Sequence, residues 1–236
     1  MEYKYSVPLS ESQNITVKSE YISDKLLPSK IKTNRLILKP IWNYDNHNLY
    51  RLYNSQTNES TKYVPEINID SLNDVVNYKN NKRNNYNKNK SCQYVIEQKK
   101  DNIMIGFCGL SVDWDKKSGT YYIWLKPNYW GYEYAKERGV AFTSILFEVL
   151  DLESITVSAL VKNKNSCKSI WKYVKEFGGF PTGLKINSYE ITNSENRDNA
   201  IEFTITDSMF YSSLYNTSCK YDGASKMKNI ISNFES

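Results

Sequence analysis

Histidine is almost absent from this sequence, and its cysteines are few and far apart. The 236 residues contain one histidine, His47, and four cysteines with no CxxC pair: Cys92, Cys108, Cys167 and Cys219. A zinc site rich in histidine is therefore excluded, and a Ser-His-Asp triad would depend on His47 alone. The polar stretch around His47 predicts an exposed position at a helix start. We expect the cysteines to be reduced, structural thiols.

Long apolar runs and clusters of like charge are also missing. No apolar run reaches the roughly 18 residues that a transmembrane helix requires. Met1–Ser10 lacks the apolar core of a signal peptide, so we expect a cytoplasmic protein with no membrane partner. The net charge of +5 suits an anionic ligand. The basic residues are scattered, however, and we expect no specific nucleic-acid partner.

The first third of the chain predicts a polar lead-in, one strand and two helices. Residues 1–30 alternate only weakly between polar and apolar side chains, which predicts an N-terminal arm. Thr33–Pro40 predicts a short strand that ends at its proline. Asp45 begins a predicted helix, and Asp70 or Ser71 is the expected cap of a second one.

The middle of the chain predicts an antiparallel meander followed by alternating helices and strands. The polar run over residues 80–90 indicates a fraying helix end or a surface loop. Three strands are expected between residues 92 and 126. Apolar residues at helical spacing predict an amphipathic helix over Tyr134–Leu150, and Ser154–Val161 predicts a strand. Another helix is expected to begin at Asn163.

The end of the chain predicts a hairpin and a short tail. Its strands are expected over Leu184–Thr192 and Ala200–Thr206, and a short helix around residues 226–234. The element order β-α-α-β-β-β-α-β-α-β-β indicates an α+β, mixed sheet flanked by helices. We therefore divide the chain into an arm over residues 1–30, a domain over 31–210 and a tail over 211–236.

Four short strings carry a resemblance to a known family. They are Thr33-x-Arg35-Leu36-x-Leu38-x-Pro40, Ile105-Gly106-Phe-Cys-Gly109-Leu, Trp124-Leu-Lys-Pro-Asn-Tyr-Trp-Gly131, and Asn163-x-x-Ser166 followed by a helix and Gly179-Phe180. With the element order, they resemble the GNAT superfamily of N-acetyltransferases, and within it the ribosomal-protein N-terminal acetyltransferases. The similarity spans roughly residues 31–210.

This resemblance implies a mostly antiparallel sheet that splays between its fourth and fifth strands. The pantetheine arm of acetyl-CoA, the implied acyl donor, adds there like a short extra strand, and no metal is involved. Trp124, Leu125 and Lys126 are expected to offer backbone groups to the arm, with an N–H near Leu125 binding the oxyanion. Asn163 is expected to hold the arm from the other side. The implied pyrophosphate loop, which ends at a helix N-terminus, consists of Trp130, Gly131, Tyr132, Glu133, Tyr134 and Ala135.

The loop departs from the family pattern Arg/Gln-x-x-Gly-x-Gly/Ala. Trp130 occupies the first position, and Glu133 replaces the central glycine, where its charge is expected to weaken CoA binding. Alternatively, Glu133 points outward at a helix N-terminus, where negative charge is favourable. Ile170 stands where many members have a tyrosine that protonates the departing thiolate. Ser166 is therefore the expected acid, and Tyr173 is the next candidate.

Other interpretations of the same residues stay open at this point. Without the family context, Trp124 and Trp130 are aromatics of the core or its rim, and Asn163 is a turn residue before a helix. Thr120 stands where some relatives have a glutamate, so no general base is assigned.

The predicted reaction is direct attack of a primary amine on acetyl-CoA. The amine belongs to a protein N-terminus or a small molecule, and the protein is a monomer or a homodimer. One alternative is a catalytically weak or inactive protein of the same fold with a binding or regulatory role. The other is an unrelated α+β protein.

Overall fold

One large sheet runs through the described part of the protein. The computed structural model describes residues 2–7, 9, 14–61, 63, 69–190 and 197–214. Within them are ten strands: β1 (Glu2–Val7), β2 (Ile15–Glu20), β3 (Lys30–Lys32), β4 (Leu36–Pro40), β5 (Ser91–Gln98), β6 (Ile103–Asp113), β7 (Ser118–Leu125), β8 (Ser154–Leu160), β9 (Phe180–Glu190) and β10 (Arg197–Thr206). The described helices are α1 (Asn46–Tyr53), α2 (Asn58–Thr61), α3 (Leu72–Asn87), α4 (Tyr134–Ser144), α5 (Lys164–Glu176) and α6 (Asp207–Leu214).

The strand order is β1-β2-β3-β4-β5-β6-β7-β8-β10-β9. Every neighbouring pair in this sheet is antiparallel except β7 and β8, which are parallel. The expected fold class, a mixed and mostly antiparallel sheet with flanking helices, is therefore confirmed. None of the described helices is long and apolar enough to span a membrane.

Alternate residues of the central strands face two separate cores. Tyr94 of β5 and Tyr121 of β7 belong to the larger core, which also contains the apolar side chains of α4 and α5. Val95 of β5, Phe107 of β6 and Trp124 of β7 face the other side of the sheet and pack in a smaller core with α1 and α3. This alternation follows from the period of two along a strand.

Side-chain caps fix the two predicted helix starts. Asp45 accepts a hydrogen bond from the amide of Asn48 at 2.8 Å, as expected for the N-cap of α1. Ser71 and Asp74 form a capping box at the start of α3. The polar end of α3 is helical through Asn87, where the sequence predicts fraying or a loop. Tyr86 is buried there, and its hydroxyl donates to the Leu27 carbonyl at 3.2 Å.

The N-terminal segment differs from the expected irregular arm. β1 and β2 pair over six residues each, and β3 connects them to the sheet. The reason is the alternating burial of β2, in which Ile15, Val17 and Ser19 face the core. The predicted helix over Tyr134–Leu150 is present as α4 and a π-helical turn, Ile145–Val149. Cys219 and the predicted helix near residues 226–234 lie outside the described residues.

Candidate active site

The two parallel strands begin as a pair and then separate. β7 and β8 pair only at Ser118 with Ser154 and at Gly119 with Ile155. Beyond these residues β7 follows β6, and β8 follows β10, along their whole lengths. A gap therefore opens toward the carboxyl ends of both strands, between the fourth and fifth strands of the expected sheet. α4 and α5 follow these two ends in the sequence, so their N-termini lie on the same side of the sheet as the gap.

Leu125 directs its backbone groups into this gap. The amide of Lys126 donates to the Ile105 carbonyl at 2.9 Å, so the backbone of residue 126 faces β6. Successive residues in an antiparallel ladder alternate, and Leu125 therefore faces the opposite side. Its carbonyl accepts a hydrogen bond from the indole Nε1 of Trp130 at 2.8 Å. The amide of Leu125 is thus the backbone donor aimed at the gap, while the backbone of Trp124 faces β6.

The loop between β7 and α4 has two residues in the left-handed region. Gly131 has φ of 81° and Glu133 has φ of 61°. A glycine tolerates this conformation freely, whereas a residue with a side chain is strained by about 1–2 kcal/mol. Tyr132, between them, is 60 % exposed. Glu133 therefore adopts the backbone geometry that favours a glycine at the same position.

Arg35, which immediately precedes β4, connects this loop to the sheet. Its Nη1 donates to the Tyr132 carbonyl at 2.9 Å, and its guanidinium lies 4.7 Å from the ring centre of Tyr134. Its Nε donates to the buried carboxylate of Glu137 in the first turn of α4, at 2.6 Å. Glu137 also accepts hydrogen bonds from the Arg35 amide and from the Thr33 hydroxyl. The strand, the loop and the start of α4 therefore form one connected unit.

Glu133 is held from the other side by α5. Its carboxylate lies 2.8 Å from the ammonium group of Lys172, and both side chains are about half exposed. The hydrogen bond from Lys172 lowers the pKa of Glu133, and the charges of Lys172, Lys136 and Arg35 act in the same direction. The negative charge that the sequence places in the loop is thus paired with a cation.

The first turn of α5 carries the two predicted motif residues. Asn163 is the N-cap of α5, and its Oδ1 accepts a hydrogen bond from the Ser166 amide at 3.1 Å. Ser166 is partly buried, and no partner of its hydroxyl occurs among the described residues. Ile170 lies one turn further on and is 9 % exposed. Tyr173 is buried against Gly139 of α4, and burial raises its pKa well above the ordinary value.

The remaining predicted loop residues have defined surroundings. Trp130 is 42 % exposed and lies at the rim, whereas Trp124 is buried and stacks on Phe107 with ring centres 4.9 Å apart. Tyr134 is buried, and its hydroxyl accepts from Gln98 Nε2 at 2.7 Å. Ala135 is partly buried in the first turn of α4.

Three residues that shape the site were missed by sequence reasoning. Glu137 and Lys172 belong to none of the four strings, and Arg35 belongs to the first of them without a predicted role. Their partners lie 102 positions away for Arg35 and Glu137 and 39 positions away for Lys172 and Glu133. A local signal exists only for Arg35, whose place in Thr33-x-Arg35-Leu36 marks it as part of a motif. Among the described residues, no group of three or more metal-ligating side chains occurs.

This chain resembles known proteins in sequence and in fold. Residues 35–173 match the sequence model of a family described as "Acetyltransferase (GNAT) domain". No curated protein matches the chain significantly. Many solved structures do, at low sequence identity. One is the microcin C7 self-immunity acetyltransferase MccE in complex with acetyl-CoA and AMP, with 18 % identity and a TM-score of 0.66, covering 77 % of this chain and 98 % of that one.

Two further structures resemble the chain in the same way. Spermidine N-acetyltransferase from Vibrio cholerae, in complex with CoA and spermine, has 17 % identity and a TM-score of 0.62, covering 75 % of this chain and 98 % of its own. Mycobacterium smegmatis RimJ, in complex with CoA-disulfide, has 14 % identity and a TM-score of 0.62, with coverages of 83 % and 88 %. At these identities the likeness concerns the fold.

Proposed function

Because the chain belongs to the GNAT acetyltransferase family, we propose that it transfers an acetyl group from acetyl-CoA to a primary amine by direct attack. The observation that carries this proposal is the gap between β7 and β8, with the Leu125 amide aimed into it and two helix N-termini beside it. The structural relatives were crystallised with CoA, CoA-disulfide or acetyl-CoA, which supports the same donor here.

The start of α4 fits the pyrophosphate of CoA. No side chain caps its first turn, so the backbone N–H groups and the positive end of the helix dipole remain for an anion. Gly131 adds a left-handed residue without a side chain in the approach. We assign residues 130–135 to pyrophosphate binding, with Arg35 and Lys172 as the side chains that position the loop.

The end of β7 fits the thioester. An extended pantetheine arm in the gap can accept a hydrogen bond from the Leu125 amide, as an added strand does. The same amide stabilises the negative charge that develops on the thioester oxygen during attack. We assign the oxyanion role to Leu125 and a contact with the arm to Asn163. The backbone groups of Trp124 and Lys126 face β6, so we assign these two residues no backbone hydrogen bond with the arm.

The departing thiolate needs a proton donor. Ser166 lies in the first turn of α5, at the side of the gap opposite Leu125, and is the residue that we assign to this role. Tyr173 is the weaker candidate, because it is buried between α4 and α5. The amine must lose a proton before or during attack. No residue is assigned as that base. We expect the protein to act on acetyl-CoA in the cytoplasm.

The proposal is tested by incubating the protein with acetyl-CoA and a panel of amines. We expect release of free thiol that depends on both the protein and an amine. We also expect acetyl-CoA at about 100 times its Kd to stabilise the protein by about 2.7 kcal/mol, equivalent to about 5–11 °C in Tm. Acetyl-CoA binding without thiol release for any amine would favour the alternative, a binding or regulatory protein of the same fold.

A further inference from the structure

The smaller core presents a group of aromatic rings beside the gap. We call it the aromatic face and define it as Tyr53, Tyr78, Phe107, Tyr122 and Trp124. Phe107 and Trp124 stack with ring centres 4.9 Å apart and planes 18° apart. Tyr53 lies 5.4 Å from Phe107 and 5.5 Å from Tyr78. Trp124 immediately precedes Leu125, so this face lies next to the backbone amide assigned to the oxyanion.

Three buried polar atoms in this region have no hydrogen-bond partner in the described part of the chain. They are Trp124 Nε1, Tyr53 Oη and Gln93 Nε2. Their residues are 4 %, 2 % and 2 % exposed, so bulk water does not satisfy them. The other end of the Gln93 amide is fixed, because Oε1 accepts from the Tyr78 hydroxyl at 2.8 Å. Buried polar groups are nearly always paired, and three unpaired ones together indicate a missing partner.

Tyr122 is the member of the aromatic face that is exposed to solvent. This residue is 45 % exposed, whereas Tyr53, Phe107 and Trp124 are buried. Its ring lies across Gly109, where an added Cβ would be 2.6 Å from the ring. The missing side chain of Gly109 therefore lets Tyr122 lie flat against the sheet. Tyr122 and Trp124 are two residues apart on β7 and share one face of the sheet, so the exposed ring lies beside Trp124, toward the carboxyl end of β7.

The chemistry of the unpaired atoms selects a class of ligand. Trp124 Nε1 and Gln93 Nε2 can only donate, and a tyrosine hydroxyl can donate or accept. A complementary ligand therefore has acceptor atoms such as ring nitrogens or carbonyl oxygens, on a group flat enough to stack on aromatic rings. Glu97, which interacts with Tyr44 beside the smaller core, is paired with Lys39 at 2.8 Å. A polycation such as a polyamine would therefore have to compete with this ion pair.

We propose that the acceptor amine of this protein carries a planar heteroaromatic group, which binds at the aromatic face and hydrogen-bonds Trp124 Nε1, Tyr53 Oη and Gln93 Nε2. This inference rests on the proposed acetyl transfer for its biological role. The binding itself does not depend on catalysis, and the two claims can therefore fail separately.

Calorimetric titration in the absence of acetyl-CoA tests the ligand class directly. The probes are 5′-amino-5′-deoxyadenosine, which has a purine ring, cyclohexylmethylamine, which has neither flat ring nor acceptors, and spermidine. We expect the purine amine to bind at least about tenfold more tightly than the other two. Equal or tighter binding of cyclohexylmethylamine or spermidine, or no binding of the purine amine, overturns the proposal.

Single-atom variants test the contacts. Tyr53→Phe removes one hydroxyl, and Trp124→Phe removes the indole N–H while keeping an aromatic ring. Each is expected to weaken binding of the purine amine about five- to tenfold, the usual value of one hydrogen bond. Tyr94→Phe is the matched control, because its hydroxyl is paired with the Pro28 carbonyl at 2.9 Å in the larger core.

The control variant also separates a ligand role from a purely structural one. Tyr94→Phe is expected to lower Tm without changing the Kd of the purine amine. Tyr53→Phe is expected to keep or raise Tm, since its hydroxyl has no partner to lose, while its Kd rises. Unchanged Kd values in both Tyr53→Phe and Trp124→Phe overturn the proposal even if the purine amine binds.

Discussion

Two helices begin beside the gap, and their first turns differ. α5 starts at Asn163, whose side chain occupies the amide of Ser166. α4 starts at Glu133, which makes no capping hydrogen bond and has a left-handed backbone. We call the start of α5 closed, because its own side chain caps it, and the start of α4 open, because no side chain does.

The difference shows how the two sides of the gap divide their work. An uncapped first turn has donors for an anion, so the start of α4 is suited to the pyrophosphate. A capped first turn has little left for a phosphate but holds its side chains in fixed positions, so the start of α5 is suited to placing Ser166. The open start of α4 is stabilised from outside, by Arg35 through Glu137 and by Lys172 through Glu133.

The largest effect is expected at the closed helix start. If Ser166 protonates the departing thiolate, Ser166→Ala lowers kcat about 10²- to 10⁴-fold, the usual value of a positioned acid. CoA affinity is expected to stay near wild type, because Asn163 still caps the helix. Single-turnover thiol release measures the chemical step. A kcat within a few-fold of wild type would assign Ser166 a purely structural place and direct the same experiment to Tyr173.

The next effect concerns the support of the open helix start. Glu137→Ala removes a buried carboxylate and three hydrogen bonds, two of them from Arg35. We expect a loss of about 3 kcal/mol in stability, or about 6–12 °C in Tm. Glu133→Ala, four residues earlier and about half exposed, is the matched control and should cost less than about 1 kcal/mol. Similar Tm values for the two variants would show that the buried Glu137 contributes no more to stability than the half-exposed Glu133, which would contradict the prediction.

The smallest effect concerns the charge in the loop. At about 6 Å, a carboxylate repels one phosphate charge by about 0.7 kcal/mol in water and about 3 kcal/mol at an effective dielectric of 20. Since Lys172 pairs with Glu133, Glu133→Gly alone should change CoA affinity little. Lys172→Met should weaken it about three- to tenfold, and much less in the Glu133→Gly background.

Calorimetric titration of CoA into wild type, the two single variants and the double variant forms a double-mutant cycle that measures this coupling. The Lys172→Met effect should shrink with added salt, because both side chains are half exposed. The lowered pKa of Glu133 also sets the pH range: the ion pair is fully formed above the ordinary value of 4.5 and is lost as the pH falls through the lower folded value. A gain of about tenfold or more from Glu133→Gly alone would show that its charge opposes CoA despite Lys172.

Local sequence patterns predicted the features that depend on local physics. The helix starts at Asp45 and Ser71 follow from capping, and the meander from alternation. Four short strings in the right order predicted the family, and the match of residues 35–173 to the family's sequence model confirms it. The strands near the N-terminus were missed, because the buried face of β2 includes the polar Ser19 as well as Ile15 and Val17, and because β1 joins the sheet through β2.

The side-chain connections of the site could not be predicted in the same way. The contacts of Arg35 with Glu137, and of Lys172 with Glu133, join residues that only the folded chain brings together. For Glu133, the sequence left two alternatives, a charge facing the ligand or one facing outward. The structure adds a third, a charge paired with α5. The roles of Ser166 and Leu125 stay predictions.

The indole of Trp130 has a consequence for the behaviour of the gap as a sheet edge. Separated strands expose unpaired backbone groups, and such edges recruit other chains and promote aggregation. Here the carbonyl of Leu125 already accepts a hydrogen bond from Trp130 Nε1, and of its two backbone groups only the amide can still bind a partner. An incoming peptide strand, which needs both a donor and an acceptor at this residue, finds half of its ladder blocked. A narrow arm that needs only a donor can still bind at this residue. The edge can therefore accept a small molecule and still discourage association with another chain.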